Sequence, residues 1–285
     1  MTIKRVGIVG SGIMGSGLAE VAAKAGCEVV LRSRQQNSAD AMVASLEKSL
    51  KKQVERGKLE EAEAEATLAR VSATSNLHDL ADCDLVIESV VEDLAVKKEL
   101  FRELNHICKD SAILATNTST LPVIEMAMET HNPELVCGVH FFNPAPMMTL
   151  VEVIPSLVTS DETIAAVKEF VDACGKSAVE VKDRAGFIVN ALLFPYLNNA
   201  VRMLESGTAS RDDIDTAMKG GCNFPMGPLA LLDLVGLDTS VHILDALYLE
   251  FRDPNYAAMP LLRRMVSAGQ LGRKSGEGFY DYAKK

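Results

Sequence analysis

The chain has 285 residues, a mass of 30.7 kDa and 48% hydrophobic residues, which is more than one hydrophobic core usually serves and predicts two domains. A formal net charge of -10 argues against a nucleic-acid partner, and six widely spaced cysteines argue against a metal site. No apolar run is long enough to span a membrane, and MTIKRVGIVGSG leads into a strand-like segment rather than a signal sequence, so we expect a cytoplasmic protein with no membrane partner.

The first seventy residues are predicted to hold two strands, a helix and a helical hairpin. Residues 4–10 have the pattern of a buried strand, 15–25 of a helix and 27–31 of a second strand. From about 39 to 69 the sequence is charged and helical, with Gly57 as the break between two helices. This pattern predicts an antiparallel helical hairpin inserted between strands.

Short apolar runs then return, separated by helical segments: DLVIESV (84–90), AILATNTS (112–119), LVCGVHFF (135–142) and TLVEVIP (149–155). Alternation of strands and helices predicts an α/β fold with a mostly parallel, Rossmann-type sheet. After SAVEVKDRAGF the sequence is almost entirely helical. We therefore predict a Rossmann domain at 1–185 and an all-α domain at 186–285.

A glycine motif, G-S-G-I-M-G, follows the first predicted strand. Gly10 permits a tight turn, Gly12 lets the backbone approach a pyrophosphate, and Gly15 lets helix and strand pack closely. Ile13 and Met14 lie between the last two glycines and are included in the candidate cofactor site. A glycine turn without a ligand is the alternative, but the flanking strand and helix favour a dinucleotide.

The end of the second strand carries Arg32, Ser33 and Arg34, where NAD enzymes normally place an acidic residue that binds the adenosine ribose. Guanidinium groups pair well with a 2′-phosphate, and a serine adds a donor. We therefore expect a nicotinamide cofactor, NADP or NAD, with NADP favoured. The alternative is that these arginines are solvated loop charges.

Several segments resemble the 3-hydroxyacyl-CoA dehydrogenase family: GIVGSGIMGSGLA, VIESVVEDLAVKKELF, ATNTSTL, GVHFFNPAPMMTLVEVI, DRAGFIVNALL, FPMGPLALLDLVGLD and GRKSGEGFYDY. They occur in order over nearly the whole chain. The resemblance is strongest to short bacterial 3-hydroxybutyryl-CoA dehydrogenases, since no hydratase segment precedes the glycine motif. It implies oxidation of a short (S)-3-hydroxyacyl-CoA to a 3-oxoacyl-CoA, or the reverse, and a homodimer.

His140 is the best candidate for the base that removes the hydroxyl proton, because imidazole titrates near neutrality. Glu152 lies on the next predicted strand, where a carboxylate could fix the imidazole tautomer. The resemblance assigns these two residues as the catalytic dyad. It also implies that Ser119 and Asn190 bind the substrate oxygen, although helix capping by Ser119 and a structural amide at Asn190 are alternatives.

The resemblance places further polar residues beside the nicotinamide half of the cofactor. Glu92, Lys97 and Asn143 match such positions, and we include Asn117 and Ser119 of the NTST segment with them as cofactor-binding candidates. Lys97 follows a predicted parallel strand, where ligand-binding loops are expected. The alternative for Lys97 is an exposed helix face.

Basic residues at helical spacing are candidates for holding the CoA phosphates. Lys48, Lys52 and Arg56 share one face of the predicted hairpin helix. Without the resemblance, a salt-bridged, solvated surface is the simpler interpretation. The helical hairpin that binds CoA in the resembling family favours substrate binding.

Two other functions remain open from the sequence. A β-hydroxyacid dehydrogenase acting on free acids would share the fold but use a catalytic lysine. A non-catalytic dinucleotide-binding sensor or structural protein would need no His140–Glu152 pair. The presence of both residues favours the acyl-CoA dehydrogenase.

Overall fold

A computed structural model describes residues 2–283 and divides the chain into two compact units. Unit 1 is Met1–Asp183 and unit 2 is Arg184–Lys285. No helix among the described residues combines the length and the apolar character needed to cross a bilayer.

Unit 1 is an α/β domain, as the sequence predicts. Its strands are β1 (Arg5–Val9), β2 (Glu28–Arg32), β3 (Val71–Thr74), β4 (Leu85–Glu88), β5 (Ile113–Thr116), β6 (Val136–Phe141), β7 (Leu150–Pro155) and β8 (Ser177–Glu180). Its helices are α1 (Ile13–Lys24), α2 (Gln36–Glu55), α3 (Glu61–Ala69), α4 (Leu94–Ile107), α5 (Val123–Ala127) and α6 (Asp161–Ala173), with 3₁₀ turns at Leu77–Leu80 and Pro133–Leu135.

The eight strands form one sheet in the order β3-β2-β1-β4-β5-β6-β7-β8. All neighbouring pairs are parallel except β6 and β7, which are antiparallel. The loop between β6 and β7 contains no helix, so this pair departs from the predicted alternation of strands and helices. The carboxyl ends of β1, β4, β5 and β6 therefore meet at one edge, together with the beginning of β7.

The central strands are buried on both faces of the sheet. Their sequences are therefore continuous apolar runs and do not alternate between apolar and polar residues. In β1 and β4, Val6, Ile8, Leu85 and Ile87 are almost completely inaccessible to water. Strand β3 was not predicted, because VSAT has a single large apolar residue and is only half-buried at the edge of the sheet. Sheet pairing with β2, rather than hydrophobic pattern, defines this strand.

The predicted helical hairpin is present as α2 and α3. Gly57 adopts a positive φ of 64° between them, a conformation that favours glycine. The buried carboxylate of Glu20 on α1 holds the hairpin, since it accepts hydrogen bonds from Ser49 Oγ at 2.9 Å and Gln53 Nε2 at 2.7 Å on α2. A bidentate polar anchor therefore fixes α2 against α1.

Unit 2 is helical. Its helices are α7 (Val189–Glu205), α8 (Arg211–Cys222), α9 (Pro228–Val235), α10 (Leu237–Phe251) and α11 (Pro260–Ser267), with 3₁₀ turns at Pro254–Tyr256 and Arg273–Ser275. Two buried aspartates organise its core. Asp215 accepts from the backbone N–H groups of Leu229 and Ala230 at the start of α9, and Asp233 accepts from those of Phe279 and Tyr280. They satisfy backbone donors that burial would otherwise leave unpaired.

The loop between β6 and β7 is held by a buried lysine. Lys176 is only 9% exposed, and its Nζ donates to the carbonyl oxygens of Ala145 at 2.7 Å and Met148 at 2.6 Å. The loop also packs closely on α1 at Gly17. A Cβ added at Gly17 would lie only 3.3 Å from Ala145 Cβ. Burial lowers the pKa of Lys176. The lysine thus ties the loop that follows β6 to the start of β8.

We expect Lys176→Met to destabilise the protein by about 1–3 kcal/mol, because two carbonyl oxygens lose their buried donor. The matched control is Lys168→Met, which removes an exposed pair with Glu180 and is expected to cost less than about 1 kcal/mol. Urea unfolding followed by circular dichroism measures both. Equal midpoints for the two variants would contradict the anchoring role of Lys176.

Candidate active site

A cavity of about 840 Å³ opens at the carboxyl edge of the sheet in unit 1. The turn after β1, the end of β2, the segment after β4 and one side of α4 line it. This is the edge at which parallel α/β sheets bind ligands, since loops that follow neighbouring strands converge there.

The glycine motif forms the turn between β1 and α1 and fits a dinucleotide. A Cβ at Gly10 would lie 2.1 Å from the carbonyl oxygen of Ser89, and one at Gly15 would lie 2.5 Å from the carbonyl oxygen of Gly10, so neither position accepts a side chain. Gly12, the N-cap of α1, has no atom within 4 Å of an added Cβ. Its open backbone at a helix N-terminus suits a pyrophosphate.

Ile13 and Met14 lie inside the glycine motif, at the start of α1. Met14 is half-buried, and its side chain packs against the hydrophobic core of unit 1. The side chain of Ile13 lies outside the described residues, although Ile13 is the first residue of α1.

Arg32, Ser33 and Arg34 all line the cavity. Ser33 is buried and Arg34 is exposed. The Nε of Arg32 is buried and has no hydrogen-bond partner among the described residues, and burial lowers the pKa of its guanidinium. An inward-facing arginine with a free donor beside an open cavity is a suitable contact for an anionic group.

His140 and Glu152 lie opposite each other in the antiparallel pairing of β6 and β7. His140 Nδ1 is 2.7 Å from Glu152 Oε2, and the carboxylate is completely buried. With a proton on Nδ1, Nε2 carries the lone pair that can accept a proton. Ser119 Oγ lies 3.1 Å from Nε2, so the three side chains form a continuous chain of hydrogen bonds. The ring of Phe142 lies against the imidazole at 4.5 Å between centroids.

Glu92 connects this chain to α4. Its Oε1 accepts from Thr118 Oγ1 at 2.5 Å and from the backbone N–H of Ser119 at 2.9 Å, and its Oε2 lies 3.3 Å from Lys97 Nζ. Burial favours a higher pKa for Glu92, but the positive charge of Lys97 and the bond from Thr118 outweigh it and hold the pKa below its usual range. Glu92 therefore fixes the backbone that carries Ser119.

Lys97 is completely buried, which contradicts the alternative of an exposed helix face. Its Nζ donates to Glu88 Oε1 at 2.7 Å. Glu88 is not among the residues predicted from the sequence, although a carboxylate within the apolar run DLVIESV is a usable signal, because buried charges are usually paired.

The two asparagines predicted near the nicotinamide have different surroundings. Asn117 joins two strand ends, since its Oδ1 accepts from the backbone N–H of Phe141 at 2.8 Å and its Nδ2 donates to Ser89 Oγ at 3.3 Å. Asn143 is exposed and precedes Pro144 through a cis peptide bond. Asn117 is thus a structural link at the site, whereas Asn143 is free to meet a ligand.

The remaining predicted residues belong to α2 of unit 1 and α7 of unit 2. Asn190 is buried in the first turn of α7 in unit 2. Lys48 and Lys52 on α2 and Arg56, its C-cap, are exposed in unit 1. Of the ion pairs found within residues 2–283, none includes these three cations.

Comparison with known proteins agrees with this arrangement. A family model described as 3-hydroxyacyl-CoA dehydrogenase, NAD binding domain, matches residues 5–184, and the C-terminal domain model of the same family matches residues 186–282. The 3-hydroxybutyryl-CoA dehydrogenase of Clostridioides difficile is 49% identical over 98% of this chain and 100% of its own length.

Solved structures give the same result. Crystal structures of FadB2 from M. tuberculosis and of the (S)-3-hydroxybutyryl-CoA dehydrogenase PaaH1 from Ralstonia eutropha superpose with TM-scores of 0.97 and 0.96, at 49% and 42% identity. Each match covers 99% of this chain and 100% of the solved chain. The resemblance predicted from the sequence motifs is confirmed, and the chain belongs to the 3-hydroxyacyl-CoA dehydrogenase family.

Proposed function

We propose that the protein is a short-chain 3-hydroxyacyl-CoA dehydrogenase that interconverts (S)-3-hydroxybutyryl-CoA and acetoacetyl-CoA. The observation that carries this proposal is the Glu152–His140–Ser119 chain of hydrogen bonds beside a dinucleotide-type cavity. The names of the relatives supply the substrate class. The nicotinamide ring, when bound, accepts or donates the hydride.

The residues of the chain manage the proton. Glu152 accepts from Nδ1 of His140 and thereby leaves Nε2 with a lone pair that points toward Ser119. In oxidation, Nε2 takes the proton of the 3-hydroxyl group, and the buried carboxylate stabilises the imidazolium that forms. In reduction, the same Nε2 returns the proton to the carbonyl oxygen.

Ser119 marks the position of the substrate oxygen. Its Oγ already lies within hydrogen-bond distance of Nε2, so an oxygen bound beside both groups is ready for proton transfer. A serine donor there stabilises negative charge that develops on the carbonyl oxygen during reduction. Asn190, with its matching motif in unit 2, is proposed as the second donor.

The cofactor assignment is a nicotinamide dinucleotide, and we propose a preference for the 2′-phosphorylated form. The support is the absence of a carboxylate in the Arg32–Arg34 segment and the free Nε of Arg32. A homodimer through unit 2 and a cytoplasmic location remain predictions. Exposed apolar side chains of unit 2, among them Leu192 and Leu249, support the dimer.

The first test is reduction of acetoacetyl-CoA, followed at the nicotinamide absorbance. We expect His140→Ala to lower kcat/KM by about 10²–10⁴-fold, because the reduction loses its proton donor, and Glu152→Gln to cause a smaller loss. The control is His78→Ala, which changes an exposed histidine. Full activity in His140→Ala would contradict the assignment of the base.

The same assay separates the alternative functions. Reduction of free acetoacetate in preference to acetoacetyl-CoA would move the protein to the free-acid dehydrogenases. No turnover of either, with intact cofactor binding, would support a dinucleotide-binding sensor.

The cofactor preference is tested with NADPH and NADH in parallel. We expect a lower KM for NADPH, and we expect Arg32→Ala with Arg34→Ala to raise that KM about tenfold or more, because charge-assisted bonds to the 2′-phosphate are lost. NADH lacks this phosphate and serves as the internal control. A wild-type preference for NADH would overturn this part of the proposal.

A triple variant tests whether the exposed basic residues of α2 bind the CoA phosphates. We expect Lys48→Ala, Lys52→Ala and Arg56→Ala together to raise the KM for acetoacetyl-CoA about three- to tenfold at low ionic strength, with less effect at high salt. The control variant is Lys168→Ala on α6. The N-acetylcysteamine thioester, which lacks the phosphates, should be unaffected, and an equal effect on both substrates would contradict a phosphate contact.

A further inference from the structure

A buried ion cluster adjoins the candidate active site through the hydrogen bond between Glu92 and the backbone N–H of Ser119. It consists of Glu88 at the end of β4, Lys97 on α4 and Glu92 between them, and we call it the acidic triad. Glu88 and Lys97 are 0% and 1% exposed, and the Glu92 side chain is 27% exposed. Lys97 Nζ lies 2.7 Å from Glu88 Oε1 and 3.3 Å from Glu92 Oε2.

Both carboxylates are surrounded by donors, as ionised carboxylates require. Besides Lys97, Glu88 accepts from the backbone N–H of Val90 at 2.6 Å and from Thr116 Oγ1 at 2.8 Å. Glu92 accepts from Thr118 Oγ1 and from the backbone N–H of Ser119. Two carboxylates and one ammonium leave the acidic triad with one net negative charge.

This surplus charge needs an explanation beyond stability. Removing a carboxylate from water is costly, and one carboxylate would be enough to pair with the ammonium. Glu92 alone could pair with Lys97 while holding Ser119. Charge pairing therefore does not explain the negative charge of the second, fully buried carboxylate, that of Glu88. It lies outside the proton path through Glu152 and His140.

The acidic triad adjoins the place of hydride transfer. Glu92 bonds the backbone of Ser119, and Ser119 Oγ lies 3.1 Å from His140 Nε2, where the proposed substrate oxygen binds. The carbon that exchanges hydride is bonded to that oxygen, so the nicotinamide ring must reach the same place. That ring carries a positive charge when oxidised and none when reduced.

We propose that Glu88 is a positioning residue that neutralises Lys97 and so lets the charge of Glu92 favour the oxidised over the reduced nicotinamide. The inference rests on the proposed function for the location of the ring. Without the negative charge of Glu88, the ammonium and Glu92 cancel, and the preference for the positively charged ring is lost. A nearby unit charge in a partly buried site is worth about a three- to tenfold change in an equilibrium constant.

The test compares equilibrium binding of the oxidised and reduced cofactors to the full-length protein. Glu88→Gln keeps the shape of the side chain and removes its charge. We expect the dissociation constant for NAD⁺ to rise about three- to tenfold relative to that for NADH, measured by calorimetry and by NADH fluorescence, and the same shift for NADP⁺ relative to NADPH. A stability role alone would weaken both redox forms equally.

Glu20→Gln is the matched control. It removes another buried carboxylate of unit 1, paired with Lys24 on α1, and is expected to leave the ratio of the two constants unchanged. If Glu88→Gln does not fold, Glu92→Gln removes charge from the same triad and must shift the ratio in the same direction. An unchanged ratio in the folded variant overturns the inference.

The outcome is distinguishable from failure of the proposed function. Turnover of acetoacetyl-CoA by the wild type tests the function alone, whereas the ratio of binding constants needs no substrate. A shifted ratio of dissociation constants without turnover would support the role of Glu88 and contradict the proposed substrate. Turnover with an unshifted ratio would support the proposed substrate and contradict the role of Glu88.

Discussion

The antiparallel pairing of β6 with β7 is the constraint on which the site depends. In an otherwise parallel sheet, this single reversal brings the beginning of β7 to the carboxyl end of β6, and the register sets Glu152 opposite His140. Complete burial of the carboxylate strengthens its hydrogen bond to Nδ1 and fixes the tautomer. A shift of one residue would turn Glu152 to the other face of the sheet. The proposed catalytic dyad is therefore a product of strand register.

The parallel part of the sheet supplies the other groups by the same geometry. Strand ends that meet at one edge bring together Gly10 after β1, Glu88 at the end of β4 and Ser119 after β5. Hydrogen bonds between the loops then remove their freedom, as Glu92 does for Ser119 and Asn117 does for Phe141. Such preorganisation lowers the barrier because the groups need not be ordered during the reaction.

Charge in this site is divided between two systems. In the proposed mechanism, the hydrogen-bonded Glu152–His140 pair transfers the proton, and the ion pairs of the acidic triad influence the charge of the nicotinamide. Ser119 touches both, through its hydroxyl group on one side and its backbone N–H on the other. In the proposed mechanism, proton and hydride leave the same substrate group, so coupling through one residue keeps the two systems aligned.

The sequence by itself determined the α/β class, the glycine turn, the helical hairpin and the family, because each depends on local patterns: buried apolar runs, glycines at fixed spacing and helical periodicity. It also named His140 and Glu152 by residue type. Tertiary structure alone decided what depends on distant pairing. It added β3, whose residues carry no strand pattern, and made β6 and β7 antiparallel. It also buried Lys97, which a run of two lysines would place in solvent, and paired it with Glu88, because only the fold decides which strand residue meets a given helix residue.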